Sequence, residues 1–151
     1  MSDFHHISVL PDETLEALCI QPNGIYVDCT LGGAGHAGRI AAMLSPAGRL
    51  IGIDQDETAI AAASERLADV SCKVTLVRDN FRHLRDILAH EWISEVDGIL
   101  FDLGISSPQI DTADRGFSYM QDAPLDMRMD RRRARSAYTV VNAYTAAQLA
   151  E

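Results

Sequence analysis

The chain has 151 residues, of which 47% are hydrophobic, and its formal net charge at pH 7 is −9. This length and apolar content suffice for one domain with its own core. The acidic balance argues against a generic, charge-driven nucleic-acid binder. The sequence has no run of about 18 apolar residues, which a membrane-spanning helix would need, and Met1 to His6 lack the basic and apolar regions of a signal peptide. We therefore expect a cytoplasmic protein without a membrane partner.

The three cysteines, Cys19, Cys29 and Cys72, are scattered without a CxxC motif or the spacing of metal ligands. An odd number of cysteines fits a reducing compartment, and each is expected to be a small buried hydrophobic residue. No metal site is predicted.

The first predicted helix begins at Pro11, with Asp12 as its N-cap. A short strand follows at residues 25–29, then a glycine-rich turn, then a helix over Ala37–Leu44. The turn contains a literal G-x-G-x-x-G in Gly33, Gly35 and Gly38. Glycines let a ligand approach the backbone amides, and the start of the helix adds unpaired N–H donors.

Taken alone, this glycine pattern fits several nucleotide-type ligands, and it also fits a tight turn that binds nothing. Asp28, near the end of the first strand, helps to decide among these ligands. A carboxylate there would repel a pyrophosphate, but it suits a ligand that carries an amine or hydroxyl groups. The combination favours S-adenosylmethionine (SAM) over NAD.

The second predicted strand, Arg49–Asp54, ends on a carboxylate about twenty residues beyond the glycine turn. Related folds place an acid at this distance to accept the ribose hydroxyls of the ligand. Such an acid could instead cap the next helix, but Asp56 is better placed to cap the helix predicted over Glu57–Leu67. Asp54 is therefore the candidate ribose acceptor.

Two further strands are predicted, over Lys73–Val77 and Val96–Asp102. Phe81 follows the first of them and could pack on the core or stack on an adenine. The alternation of strands and helices predicts right-handed crossovers and a parallel sheet. Because ligands bind outside the carboxyl ends of such strands, the side chains that follow the four strands form one candidate site: Asp28, Asp54, Phe81 and Asp102.

Beyond Leu103 the residues are polar, aromatic or methionine without a helical or strand period, which is typical of a functional loop. A last helix is predicted over Ala143–Ala150. Six arginines crowd this part of the chain and could either grip RNA phosphates or form a solvated face: Arg115, Arg128, Arg131, Arg132, Arg133 and Arg135.

Five segments together resemble the bacterial small-subunit (16S) ribosomal RNA cytosine-N4-methyltransferases: His6–Leu10, Tyr26–His36 (ending DCTLGGAGH), Ile53–Asp56 (IDQD), Asp97–Gln109 (DGILFDLGISSPQ) and Arg115–Asp130 (RGFSYMQDAPLDMRMD). They span nearly the whole chain in the right order, and the last two are long and specific. The resemblance implies the class I SAM-dependent methyltransferase fold, a Rossmann-like α/β parallel sheet with flanking helices. It also implies SAM as cofactor, and 16S ribosomal RNA or the small ribosomal subunit as partner.

The resemblance also implies roles for particular residues. Ala34, Gly35 and His36 match the loop that holds the methionine part of SAM. Asp54 matches the ribose acceptor, and Phe81 matches the residue beside the adenine. Asp102 and Gln109 match the acid and the amide next to the reacting methyl group, where Asp102 either accepts the proton from the base, as the catalytic residue, or only binds cofactor.

The chain departs from the family in three respects. Gly33-Ala34 stands where Gly or Arg is common, and the small alanine is expected to cause no loss. The loop Ser106–Gln109 lacks the aromatic that amine methyltransferases often carry there, so Phe117 or Tyr119 is a candidate to stack on the target base. The chain is also short, so we expect a truncated SAM-binding core over residues 1–135 and the start of an inserted helical domain over residues 136–151.

Other functions and assemblies stay open at this point. An NAD-type half-domain of a dehydrogenase is supported by the glycine fingerprint and Asp54, but Asp28 and the serine-proline loop argue against it. A cofactor-free RNA-binding module is disfavoured by the net charge. A sheet edge left without its neighbouring strands would invite pairing with another chain, so a homodimer is also compatible with the sequence.

Overall fold

The computed structural model describes residues 8–150, so His6 and Ile7 of the first matching segment lie outside the described residues. The chain divides into two compact units, with the boundary between Leu103 and Gly104. In the first, helices and strands alternate: α1 (Pro11–Leu18), β1 (Ile25–Asp28), α2 (Gly35–Met43), β2 (Arg49–Asp54), α3 (Glu57–Arg66), β3 (Lys73–Arg78), a 3-10 turn (Phe81–His83), α4 (Leu84–His90) and β4 (Gly98–Leu100).

The four strands form one parallel sheet in the order β3-β2-β1-β4. Val27 on β1 lies opposite Ile51 on β2 and Ile99 on β4. Because β1 and β2 are the two inner strands, their carboxyl ends lie side by side. This confirms the predicted parallel α/β sheet.

Side chains of β1 and β2 alternate between two apolar clusters, as the twofold period of a strand requires. Tyr26 and Leu50 pack with Ile40 of α2, whereas Val27 and Ile51 pack with Ile87 of α4. The strand residues among these are at most 1% exposed, and each such side chain contributes roughly 1.5–3 kcal/mol through burial. Helices on both faces therefore hold the sheet rigidly and fix where its strands end.

The second unit consists of short elements: α5 (Ser107–Asp111), a 3-10 turn (Ala113–Arg115), α6 (Ala137–Ala143) and α7 (Ala146–Leu149). The prediction of one helix over Ala143–Ala150 is wrong. Thr145 caps a new helix, because its hydroxyl accepts the N–H of Gln148 at 3.3 Å while the Gln148 amide accepts the N–H of Thr145 at 2.9 Å.

Several predictions about single residues are also corrected. Asp12 does not cap α1, because Pro11 already occupies the first helical position, which suits a residue without an N–H. The helix begins after Leu10, and Asp12 forms an ion pair with Arg39 instead. Cys19 is exposed rather than buried, whereas Cys29 and Cys72 are buried as expected. The fourth strand is shorter than predicted.

Candidate cofactor site at the carboxyl edge of the sheet

The turn between β1 and α2 is held in place by hydrogen bonds that its own backbone amides donate. Leu31 donates its N–H to the carbonyl of Ile53 at 3.1 Å, and Gly32 donates to the Asp54 carboxylate at 2.9 Å. Thr30 and Ala34 also donate inside the turn and its flanking strand. Four of the five amides from residues 30 to 34 are therefore already bonded, which leaves few donors for a pyrophosphate.

Asp54 ends β2 and lies beside this turn. Its Oδ2 accepts the N–H of Gly32 and its Oδ1 accepts the N–H of Asp56, both at 2.9 Å. Burial raises the pKa of Asp54, and the backbone hydrogen bonds oppose that rise. A third backbone N–H, that of Gln55, also bonds the carboxylate, so at least one of its roughly four acceptor positions stays available to a hydroxyl. Asp56 caps α3, as predicted, by accepting the N–H of Thr58.

Asp28 is an internal charge of the site. It is 1% exposed, and its Oδ1 accepts the N–H of Thr30 at 3.0 Å. Burial, together with the charges of Asp54 and Asp102, raises its pKa to about 6, although the hydrogen bonds from Thr30 oppose the rise. Sequence analysis expected a carboxylate facing a ligand; the structure instead places Asp28 inside, where it contributes negative potential.

His36 and Asp102 lie next to each other, with 3.8 Å between Nε2 and Oδ2. Burial lowers the pKa of His36, although the charge of Asp102 opposes this. Its Nδ1 is buried, and no hydrogen-bond partner for it is found among residues 8–150. Such a nitrogen is costly to leave unpaired, by about 1–3 kcal/mol, so a polar partner is expected there.

Thr30 links two of the acids, a role that sequence analysis missed. Its N–H bonds Asp28, and its hydroxyl accepts the N–H of Asp102 at 2.7 Å. No sequence signal marks this contact, because Asp102 is 72 residues further along the chain. The bond joins the end of β4 to the glycine turn.

Phe81 contacts a second ring that sequence analysis also missed. Phe101 meets it edge to face, with ring centroids 5.4 Å apart. Phe81 packs partly against the apolar cluster around Ile87, while Phe101 is 45% exposed. The two rings offer an apolar surface of the kind that suits a planar base.

Gln109 lies in the second unit. It is 6% exposed, and its Oε1 accepts the N–H of Ser106 at 3.0 Å as part of a capping box that starts α5. The sequence Ser-x-x-Gln at residues 106–109 is the signal for this helix start, which the expectation of an irregular loop overlooked. Its place beside a cofactor stays a prediction.

The residues of the first unit fit SAM better than a dinucleotide. Asp28, Asp54 and Asp102 give this edge a negative potential, which favours a ligand with a sulfonium and an ammonium group and disfavours a pyrophosphate. A Cβ added at Gly33 would meet nothing within 4 Å, so a ligand could approach the backbone there. Ala34 and Gly35 follow at the start of α2.

Within residues 8–150 no group of three His, Cys, Asp or Glu side chains could hold a metal ion. None of the described helices has the length and apolar character needed to cross a membrane.

The sheet order, the glycine turn and the carboxylates at its edge define a Rossmann-like protein with the class I SAM-dependent methyltransferase fold. The fold is similar to a crystal structure of a proposed rRNA-methylase from Clostridium thermocellum, with a TM-score of 0.55 and 23% identity, covering 66% of this chain and 54% of that one. The chain belongs to the MraW methylase family, whose family model matches residues 3–151.

Two relatives are both named ribosomal RNA small subunit methyltransferase H. The protein from Brevibacillus brevis is 56% identical over 98% of this chain and 47% of its own length. The protein from Clostridioides difficile is 54% identical over 97% of this chain and 47% of its own length. The chain thus spans about half the length of the curated relatives that it matches.

Proposed function

We propose that this chain forms the cofactor-binding part of an enzyme that transfers a methyl group from SAM to the exocyclic N4 amine of a cytidine in small-subunit (16S) ribosomal RNA. The proposal rests first on Asp54, a half-buried carboxylate at the end of β2 that bonds the N–H of Gly32 in the glycine turn and keeps acceptor capacity for a ligand hydroxyl. Family membership and the names of the relatives support the reaction class.

Each site residue receives a role under this proposal. Ala34, Gly35 and His36 hold the methionine part of the cofactor. Asp54 is the acceptor for the ribose. Phe81 lies beside the adenine, and the ring of Phe101 contacts the ring of Phe81 edge to face. Asp102 and Gln109 are assigned to the neighbourhood of the reacting methyl group.

When bound, SAM would supply an activated methyl group. The N4 lone pair of cytosine is conjugated with the ring, so the amine is a poor nucleophile until it becomes pyramidal. Asp102 can favour that geometry by accepting an N–H hydrogen of the amine and then taking the proton. Its side chain is 43% exposed while its backbone is held by Thr30, so the carboxylate is both accessible and positioned. Alignment of the two reactants provides much of the remaining acceleration.

The cofactor assignment is tested by calorimetric titration of the chain with S-adenosylhomocysteine. Asp54→Ala should abolish binding, whereas Asp69→Ala, which removes an exposed acid elsewhere, should not change it. Circular dichroism checks that each variant is folded. Binding of NAD in place of S-adenosylhomocysteine, or full binding by folded Asp54→Ala, would refute the assignment.

The role of Asp102 is tested in a longer protein that includes the rest of the family's length. Asp102→Ala should lower kcat by orders of magnitude at saturating SAM. A change confined to the KM for SAM would instead make Asp102 a cofactor ligand and not the proton acceptor.

Residues 136–151 are proposed as the start of an inserted helical domain, with residues 1–135 as the SAM-binding core. The helices α6 and α7 are compatible with that division. Limited proteolysis of a longer protein tests it, because a domain boundary near residue 135 predicts a cleavage-resistant fragment that begins close to it.

A further inference from the structure

The six arginines of the second unit fall into two groups that the sequence does not separate. Arg115 is 8% exposed, and its guanidinium donates to the carbonyls of Arg128 and Met129 at 3.1 and 3.3 Å. It also lies 5.8 Å from the centre of the Phe117 ring. Arg115 is thus a structural residue that bonds the backbone of its own unit.

Arg128 and Arg132 are also structural, because each guanidinium forms bidentate hydrogen bonds to the carboxylate of the aspartate two residues before it. Arg128 bonds both oxygens of Asp126 at 2.9 and 2.7 Å. Arg132 bonds both oxygens of Asp130, with its Nε at 2.9 Å from one and its Nη2 at 2.9 Å from the other. The hydrogen bond from Arg128 lowers the pKa of Asp126 to about 2. These two positive charges are therefore neutralised within the unit.

Arg131, Arg133 and Arg135 differ from Arg128 and Arg132 because none of them forms a hydrogen-bonded ion pair with a carboxylate among residues 8–150, although the charge of Arg131 contributes to lowering the pKa of Asp126. All three are exposed. Arg131 donates to the carbonyl of Asp114 at 2.7 Å, and Arg135 donates to the hydroxyl of Tyr144 at 3.0 Å; both acceptors are neutral. Among residues 8–150 no ion pair involves these three guanidinium groups. Three exposed arginines without an ion pair therefore lie within five residues.

The backbone that carries these arginines is held in place by the structural ones. The guanidinium of Arg128 donates to the carbonyls of Arg131 and Arg133 at 3.1 and 2.7 Å. Asp130 accepts the N–H of Arg132 through its side chain and the N–H of Arg133 through its carbonyl. Ordering the segment in advance lowers the entropy that a binding event would cost.

We propose that the exposed arginines Arg131, Arg133 and Arg135 form a phosphate-binding surface for RNA. This inference rests on the proposed function, which requires an RNA substrate. A chain of net charge −9 repels a polyanion as a whole, so contact with RNA needs a local cationic surface. Guanidinium groups match phosphate oxygens in charge and in hydrogen-bond geometry. Such contacts set the position of the RNA and do not read its sequence.

The test measures binding of a fluorescein-labelled RNA hairpin with a cytidine-containing loop, by anisotropy, between 50 and 200 mM salt. Arg131→Gln/Arg133→Gln/Arg135→Gln should weaken binding and reduce the slope of log affinity against log salt by about 2, at roughly 0.7 per phosphate contact. The triple Arg→Lys variant should recover most of that slope. Arg85→Gln removes one exposed arginine from α4 and is the matched control, which should leave the slope unchanged.

Absence of hairpin binding by the unmodified chain, or an unchanged slope in the triple Gln variant, would overturn the inference. A loss of slope in Arg85→Gln of about one third of that in the triple variant, the share of one charge in three, would make the effect one of general charge and overturn it as well. Competition by polyglutamate as strong as that by unlabelled RNA would assign the surface to acidic proteins instead. Titration with S-adenosylhomocysteine separates the two proposals: cofactor binding without RNA binding defeats only this inference, whereas a folded chain that binds no cofactor defeats the proposed function.

Discussion

At the scale of single residues, carboxylates at the ends of neighbouring strands have different surroundings. Asp54 accepts backbone N–H groups on both of its oxygens and is half-buried, whereas Asp28 is fully enclosed. The sequence predicted that both lie at the same edge, because both end strands of a parallel sheet. The sequence could not predict how deeply each carboxylate is buried, because burial depends on tertiary packing. In the turn between β1 and α2, Leu31 and Ala34 pack into the apolar cluster of the sheet.

Asp28 should make the chain less stable as pH rises. Its pKa of about 6 in the folded chain exceeds the value of 3.8 expected when unfolded, so the folded state binds more protons between these values. Stability should therefore fall as pH rises from about 4 to about 6, by up to about 3 kcal/mol from this group. Asp28→Asn keeps an oxygen for the Thr30 N–H and should remove that loss. Urea unfolding of both proteins at pH 4 and pH 7 measures the difference.

The free energy of unfolding of Asp28→Asn should thus equal that of the parent at pH 4 and exceed it at pH 7. Asp69→Asn changes an exposed acid and serves as the control, with no comparable gain. If Asp28→Asn were no more stable than the parent at pH 7, the burial account of Asp28 would be wrong.

At the scale of elements, the sequence predicted what local chemistry determines. The glycine turn, the N-cap Asp56 and the strand that ends at Asp54 were predicted because their residue types are specific for those positions. The short helix α5 was missed, and the helix that contains α7 was predicted to begin too early, at Ala143, although each of the two begins with a capping box. Their apolar period is too brief to detect, so only the caps could have revealed them.

Gly116 should be essential to the fold of the second unit. Its φ is +70°, and a Cβ there would lie 2.3 Å from the carbonyl oxygen of Pro124. Gly116→Ala combines backbone strain with a clash against the main chain, so we expect a destabilisation of at least about 2 kcal/mol. Hydrogen exchange should show faster exchange at the Met127 N–H, which bonds the carbonyl of Arg115 at 3.0 Å.

The matched control is Gly104→Ala, because a Cβ at Gly104 meets nothing within 4 Å. Exchange at Met127 should stay at the parent rate in this control. Equal protection in both variants would show that the backbone near Gly116 adjusts without cost.

At the scale of the whole molecule, β4 is an edge strand of the sheet and lies beside exposed apolar side chains. β4 pairs only with β1, and among the described residues no strand lies on its other side. Ile99, Phe101 and Leu103, which alternate along this part of the chain, are 39%, 45% and 71% exposed. The sequence predicted such an edge from the resemblance to a longer family, and the chain spans about half the length of its relatives.

An open apolar edge strand is a template for pairing with a second copy of the chain. We therefore expect this chain to form a dimer through β4 as its concentration rises, measured by sedimentation velocity. Leu103→Lys places a charge beside that edge and should weaken the association at least about 10-fold, which corresponds to about 1.4 kcal/mol. Trp92, which is 95% exposed, is the rival apolar contact. Because Trp92 lies away from the edge of β4, Trp92→Lys should leave the dimer intact. If Trp92→Lys weakened the dimer and Leu103→Lys did not, the interface would lie at Trp92 and not at the sheet edge.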